Sequence, residues 1–166
     1  MGQQGFRGHV SQGIVNLRSC STLCWGDASF ANMPDVNSQY GVLGMLVPSR
    51  RDTPDLKTRD VAGLPMFWKS ASTKRKVRAT MAAEAYGVSE ATERGELLRM
   101  ILTEVFQQAV PLRQIERKAE LTRDLFIRTG SASLNSTVSR ESGAVQDKCL
   151  FVVIAALREA FRQLRR

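Results

Sequence analysis

The stretch that decides the fold runs from Trp68 to Val88 and reads W-K-S-A-S-T-K-R-K-V-R-A-T-M-A-A-E-A-Y-G-V. An apolar run that ends at Trp68 leads into it and predicts the end of a β-strand. Five cationic residues follow within ten positions: Lys69, Lys74, Arg75, Lys76 and Arg78. The alanine-rich end of the stretch then predicts the start of a helix that carries one carboxylate, Glu84. Strand, basic turn and acidic helix therefore succeed one another directly.

Glu84 lies on the predicted inner stripe of that helix. Steps of three and four residues from Glu84 reach mainly apolar positions: Val88, Ala91, Gly95, Leu98 and Leu102. A carboxylate on an inner stripe loses hydration energy unless a cation or hydrogen bonds meet it. Two interpretations follow from the spacing: a first-turn glutamate that complements the helix dipole and reaches water, or an acid that has a chemical role.

Composition indicates one globular domain. The chain has 166 residues, 43% of them hydrophobic, which is enough for a sizeable core. We expect a loose leader over residues 1–16 and one domain over residues 17–166. The first residues lack a signal-peptide core and no run approaches the roughly 18 apolar residues of a membrane span, so we expect an intracellular protein (cytoplasm or nucleus). A net charge of +8 favours a polyanionic partner, either nucleic acid or an acidic surface.

Two kinds of catalytic or metal centre are disfavoured by the residue counts. The three cysteines, Cys20, Cys24 and Cys149, have no second pair at zinc spacing and are predicted to be reduced core thiols. The single histidine, His9, lies in a polar, glycine-rich segment, so a histidine-based nucleophilic centre is disfavoured as well.

The first half of the domain predicts three strands joined by reversals. Alternation predicts strands over Leu17–Asp27, Ser38–Val47 and Leu64–Ser70, with glycines in the second that permit close packing or a bulge. They form an antiparallel meander, and we expect Trp68 in its core. Asp27 ends the first strand, and from the residues alone it is equally a strand-terminating aspartate of the turn G-D-A-S.

The second half predicts helices around one short strand. The Glu84 helix runs to about Gln107, whole or as two helices joined at Gly95. Further elements are predicted, in chain order, as a helix or surface loop over Arg113–Leu121, a strand over Leu125–Thr129, a brief helix over Ser133–Ser139, and a clear helix over Asp147–Arg166. The stripe of that last helix comprises Leu150, Val153, Ile154, Leu157, Phe161 and Leu164.

Three pieces in order resemble one family: G-D-A-S-F-A-N with S-Q-Y-G-V-L, then F-W-K-S-A-S-T-K-R-K-V-R-A-T-M-A-A-E-A-Y, then D-K-C-L-F-V-V-I-A-A-L-R-E. Together they are similar to the RNase H domain of Copia-type retrotransposon polyproteins, which follows reverse transcriptase. The resemblance implies an α/β, RNase H-like fold: a mixed sheet that begins with three antiparallel strands, with helices packed on it.

The chemistry that the resemblance implies is hydrolysis of the RNA strand in an RNA/DNA hybrid by acidic residues that hold two Mg²⁺ ions. It makes Asp27 and Glu84 the catalytic and metal-binding carboxylates. It places the basic turn, Lys69 with Lys74, Arg75, Lys76 and Arg78, near the phosphate backbone of a hybrid or other duplex.

The sequence also departs from the family pattern. Gly130 stands where the family has its third carboxylate, Asp124 lies at the opposite end of the short strand, and Val153 stands where an acid is frequent. The chain reaches Arg166 without a further strand-helix unit that carries the last acid. We therefore expect a degenerate or truncated copy with impaired chemistry. Three hypotheses stay open: an active nuclease, a non-catalytic nucleic-acid-binding remnant, and a partner-binding domain that exposes Leu157, Phe161 and Leu164. The oligomeric state is left open.

Overall fold

A computed structural model describes residues 15–29, 38–49, 62–73, 80–107, 110–140 and 147–164, the side chains of the last range to residue 162. The strands are β1 (Ser21–Ser29), β2 (Gln39–Val47), β3 (Leu64–Ser72) and β4 (Leu125–Arg128). The helices are α1 (Thr80–Gln107), α2 (Leu112–Thr122), α3 (Ala132–Ser139) and α4 (Lys148–Leu164). Several sequence predictions lie outside the described residues: the leader up to residue 14, most of the polar loop before β3, the basic segment 74–78, and the linker before α4.

The four strands form one mixed sheet in the order β3-β2-β1-β4. β1, β2 and β3 pair antiparallel, as the predicted meander requires, whereas β4 pairs parallel with β1. A parallel neighbour needs a crossover connection, and α1 and α2 supply it between β3 and β4. The arrangement confirms the predicted α/β class and is compatible with an RNase H-like fold.

β1 begins later than the alternation predicted. The prediction started the strand at Leu17, but the Asn16 side chain accepts a hydrogen bond from the Arg18 N–H at 3.0 Å, and the Ser19 N–H bonds back to the Asn16 carbonyl. An asparagine that bonds the backbone two residues on closes a turn, so the chain reverses before the strand starts. The strand also continues past Asp27, to Ser29.

Helix α1 is continuous through Gly95, so a break there is excluded. A Cβ at Gly95 would lie 2.6 Å from Leu125 Cδ1 and 3.0 Å from Cys24 Sγ. The glycine therefore permits the helix to approach the sheet, which is why it stands in the middle of the helix despite its poor helix propensity. Gly44 in β2 has a similar role, because its missing side chain leaves room for the Phe67 ring beside the β-bulge at Gly44/Met45.

The main core lies between one face of the sheet and α1, which packs on β1, β2 and β4. Its inner stripe is buried as predicted, and the stripe residues lie in clusters with Cys20, Cys24, Val42, Leu46 and Leu125. Burial raises the pKa of the Cys24 thiol to about 12 and, against the opposing charge of Arg123, raises that of Cys20. Both are free, protonated core thiols as predicted, whereas Cys149 is exposed, contrary to the prediction.

Helix α4 turns its apolar stripe inward. Leu150, Ile154 and Leu157 are buried in a cluster with residues of α1 and α3, and Val153 and Phe161 pack against it. The predicted N-terminal role of Asp147 is confirmed, since its carboxylate accepts bonds from the Cys149 and Leu150 N–H groups at 2.9 and 3.3 Å.

The partner-binding hypothesis required an exposed Leu157, which is only 2% exposed. This evidence for the hypothesis is therefore contradicted, because the fold itself uses the stripe. None of the helices in the described ranges combines the length and apolar character that a membrane crossing requires.

Candidate functional site

Asp27 is placed by a contact between two backbones. A Cβ added to Gly26 of β1 would lie 2.6 Å from the carbonyl carbon and oxygen of Gly87, and a Cβ on Gly87 would lie 3.1 Å from the Asp27 carbonyl oxygen. Side chains at either glycine would hold helix and strand apart. The contact therefore fixes the Asp27 backbone beside α1, within one helical turn of Glu84.

The direction of α1 decides which end of the sheet receives Glu84. Gly87 lies against the end of β1 and Gly95 against its middle, while Leu98 and Leu102 cluster with Cys20 at its start. The helix thus runs antiparallel to β1, and its first turns lie at the carboxyl end of β1 and of the parallel strand β4. In open α/β sheets this end is the usual place for a ligand.

Gly130 follows β4 at this same end. The parallel register pairs Trp25 with Arg128, so two further residues lead to Asp27 on one strand and to Gly130 on the other. A Cβ at Gly130 would meet nothing within 4 Å, so the position has room for a side chain. Asp124 precedes β4 and its carbonyl accepts from the Thr22 N–H at 2.9 Å, which keeps it at the opposite end, as predicted. The structure thus gathers the backbones of Asp27, Glu84 and position 130 in one region.

The two carboxylates differ in environment. Asp27 is exposed, and its Oδ1 accepts a hydrogen bond from the Ala28 N–H at 2.9 Å. Glu84 is half-buried at the start of the inner stripe. Because Gly26 faces α1, alternation directs the Asp27 side chain to the other side of the strand, and the longer Glu84 side chain would have to reach past the strand end to meet it. A metal ion shared by the two acids stays a prediction.

The donor set limits what this region could hold. Carboxylate oxygens are suitable Mg²⁺ ligands, and Asp27 and Glu84 together fit one ion. The described ranges contain no group of three or more His, Cys, Asp or Glu side chains placed to bind a metal. A second ion, as two-metal hydrolysis requires, is not matched by these residues.

Lys69 is the one residue of the predicted basic set that lies within the described ranges. Its Nζ is 2.8 Å from Glu90 Oε1 on α1, and it lies 5.4 Å from the centre of the Tyr40 ring. The bond to Glu90 comes first among the causes that raise the pKa of Lys69, and it correspondingly lowers the pKa of Glu90. Lys69 therefore ties β3 to α1, with its charge partly balanced. The other four basic residues lie outside the described ranges, and their role stays a prediction.

The prediction that Trp68 is a core residue is wrong: its side chain is 79% exposed. Neighbouring residues of a strand point to opposite faces, and Phe67 and Lys69 are the ones that face α1. The period-two pattern of residues 64–72 was the available signal, because it separates Leu64, Met66 and Trp68 from Phe67 and Lys69.

A row of side chains crosses the face of the sheet opposite α1. Strand register aligns Trp68 with Leu43, Leu43 with Trp25, and Trp25 with Arg128. The Arg128 guanidinium lies 5.7 Å from the centre of the Trp25 ring, and partial burial lowers the pKa of that arginine. We call these four residues the outer row. The sequence analysis did not find it, because it depends on pairing between distant segments.

Comparison with known proteins adds little. No protein-family model matches the chain, and no curated protein matches it. Among solved structures, it is similar to the crystal structure of Prototype Foamy Virus Protease-Reverse Transcriptase (native), at 10% identity and a TM-score of 0.31. The match covers 92% of this chain and 22% of that one, so the chain spans about a fifth of the viral protein. The fold description rests on the strand order and the contacts given above.

Proposed function

We propose that the chain is an RNase H-like domain of a Copia-type retroelement polyprotein that binds nucleic acid and has impaired hydrolytic activity. The observation that carries the proposal is the contact of Gly26 with Gly87. It brings the Glu84 end of α1 to the carboxyl end of the parallel strands β1 and β4, where Asp27 lies. This is where an RNase H-like nuclease requires its acids to lie.

The impairment follows from the same end of the sheet. When bound, Mg²⁺ would orient the attacking water and stabilise the leaving oxygen, and Asp27 and Glu84 would hold it. Position 130 offers no oxygen ligand from a side chain, because it is glycine. Asp124 cannot replace it from the other end of β4. These residues provide for one ion, so neither oxygen of the reaction is clamped from both sides.

Binding to nucleic acid is supported by charge. The chain has a net charge of +8, and its sequence places four cations at 74–78, between β3 and the α1 end that carries Glu84. Cations that contact phosphates release counterions, so the affinity for a duplex should fall steeply as salt rises and should depend little on sequence.

The decisive experiment measures cleavage of a labelled RNA/DNA hybrid in Mg²⁺ by the chain and by its Asp27→Asn variant. We expect no cleavage above background by either protein, together with salt-sensitive binding of the hybrid by both. Robust Mg²⁺-dependent cleavage that disappears in Asp27→Asn would overturn the proposed impairment. Absence of hybrid binding at low salt would overturn the proposed function itself.

A gain-of-ligand variant tests the role assigned to position 130. Gly130→Asp adds a carboxylate where there is open space, so we expect Mg²⁺ to bind more tightly and to raise the melting temperature more than it does for the natural chain. Gly130→Ala is the matched control, since it adds a side chain without a ligand. An equal response of both variants to Mg²⁺ would show that position 130 does not face the metal region.

A further inference from the structure

The outer row is more than the uncovered side of a sheet. Its residues come from all four strands, and they lie on the face opposite α1, because the strand residues that face α1 are others, among them Cys24, Val42, Phe67 and Lys69. Beneath it on the same face lie the buried residues Leu23, Met45 and Val47. The outer row is thus a surface built on a packed support.

Its chemistry combines aromatic rings with a cation. Trp68 exposes most of its large ring, while Leu43, Trp25 and Arg128 are half-buried. Arg128 lies over the Trp25 ring. Beyond Trp68 on the same face, Ser70 Oγ accepts a hydrogen bond from Gln39 Nε2 at 2.7 Å, which gives the row a polar rim. An edge strand with a tryptophan so exposed is costly to keep in water unless a ligand uses it.

We propose that the outer row is a stacking platform for unpaired bases of a single-stranded nucleic acid. Neighbouring strands are about 4.8 Å apart, so Trp68 and Trp25 lie roughly 10 Å from one another across β2, which suits two bases of an extended strand. Aromatic rings on an open sheet stack bases irrespective of sequence. The inference rests on the proposed function in that nucleic acid is the ligand, but it assigns a separate face and an unpaired substrate.

The charges on the page favour this occupant over a protein. Arg128 closes the row, and an apolar helix laid across it would bury that guanidinium at a large desolvation cost. A nucleic acid strand carries its own anions to that position. A second copy of this chain, with net charge +8, would bring further positive charge to the same surface. Single-stranded nucleic acid satisfies the rings and the charge together.

The experiment uses the natural fluorescence of the chain, because its two tryptophans are Trp25 and Trp68, both in the outer row. The full chain is titrated with an oligothymidylate of about 12 nucleotides, a length within the usual site size of single-strand binders. We expect saturable quenching, and none with tripolyphosphate, which has phosphates but no bases. Quenching by tripolyphosphate to the same extent would overturn stacking.

Variants separate the platform from the basic segment. Trp68→Ala should weaken oligothymidylate binding about 5- to 150-fold, the range that corresponds to one stacked base, whereas Trp68→Phe should retain most of it. Leu112→Ala is the matched control, because Leu112 on α2 is also exposed. Neutralising Lys74, Arg75, Lys76 and Arg78 together should instead reduce the salt dependence.

Each result decides between outcomes. Binding that is lost on neutralising the four cations but unchanged in Trp68→Ala overturns the platform and leaves the proposed function standing. No binding of any nucleic acid at low salt overturns both. Self-association in sedimentation that Trp68→Ala abolishes, without quenching by oligothymidylate, shows that a second copy occupies the row and overturns the platform.

Discussion

The two faces of the sheet are built from the same strands but solve different problems. The face toward α1 is closed by small residues, with Gly26 and Gly95 permitting helix and strands to touch, and by a Lys69–Glu90 ion pair at its margin. The opposite face carries its largest aromatic side chain, Trp68, in water. Residues of one strand alternate between the two, as Phe67 and Trp68 do.

The comparison teaches that burial and exposure on this sheet separate stability from recognition. Substitutions on the α1 side should change the free energy of unfolding, because they disturb contacts that exist in the folded chain. Substitutions in the outer row should leave that free energy nearly unchanged and alter binding. The predictions below test this separation, beginning with the largest effect on stability.

Ile154→Ala should cost about 2–5 kcal/mol of unfolding free energy, because Ile154 is fully buried between α4, α1 and α3 and truncation leaves a cavity. Urea denaturation provides the measurement. Val152→Ala on the exposed side of the same helix should cost below about 0.5 kcal/mol. Equal effects of the two substitutions would show that the α4 stripe does not pack inward.

Gly26→Ala should cost about 1–3 kcal/mol, since the added Cβ meets the Gly87 and Val88 backbone, which cannot move aside as a flexible side chain could. Gly41→Ala is the control: it lies opposite Asp27 on β2, and its Cβ would meet only the Lys69 carbonyl, at 3.9 Å. Thermal unfolding of the two variants should therefore diverge, and similar melting temperatures would contradict the close approach of α1.

Glu90→Gln should cost about 0.5 kcal/mol at neutral pH, as expected for a partly exposed ion pair. The pKa of Glu90 is lowered in the folded chain, so the contribution is present above its ordinary pKa of 4.5 and is lost as pH falls through the folded value. Stability curves of the natural chain and the variant should converge near about pH 3. A gap that persists in acid would show that the pair does not act through charge.

Trp68→Ala should change the unfolding free energy least, by less than about 0.5 kcal/mol, because its ring is mainly in water already. Combined with the loss of oligothymidylate binding proposed above, this would complete the separation of the two faces. A destabilisation comparable with that of Ile154→Ala would contradict it, since it would make Trp68 a structural residue. Denaturation and titration are to be run on the same preparation.

Most elements could be predicted from the sequence where the signal is local. The antiparallel meander, the short fourth strand, the brief third helix and the inner stripes of α1 and α4 were all predicted, since hydrophobic period depends on neighbouring residues only. The predictions were wrong where a local interaction competed, as at Asn16, whose side chain closes a turn before β1. They were wrong at Trp68 too, because apolar character alone did not say which face of an edge strand it occupies.

The candidate site divides in the same manner. The sequence by itself determined that Asp27 ends one apolar strand pattern and Glu84 begins a helix, that Gly130 provides no carboxylate, and that the chain is strongly basic. Only the tertiary structure decided that α1 runs antiparallel to β1 and meets it at Gly26 and Gly87, that Glu90 engages Lys69, and that Trp25 and Trp68 share a row with Arg128. The physical reason is that each of these depends on strand register and helix direction, which are fixed by packing between segments distant in the chain rather than by the residues next to them.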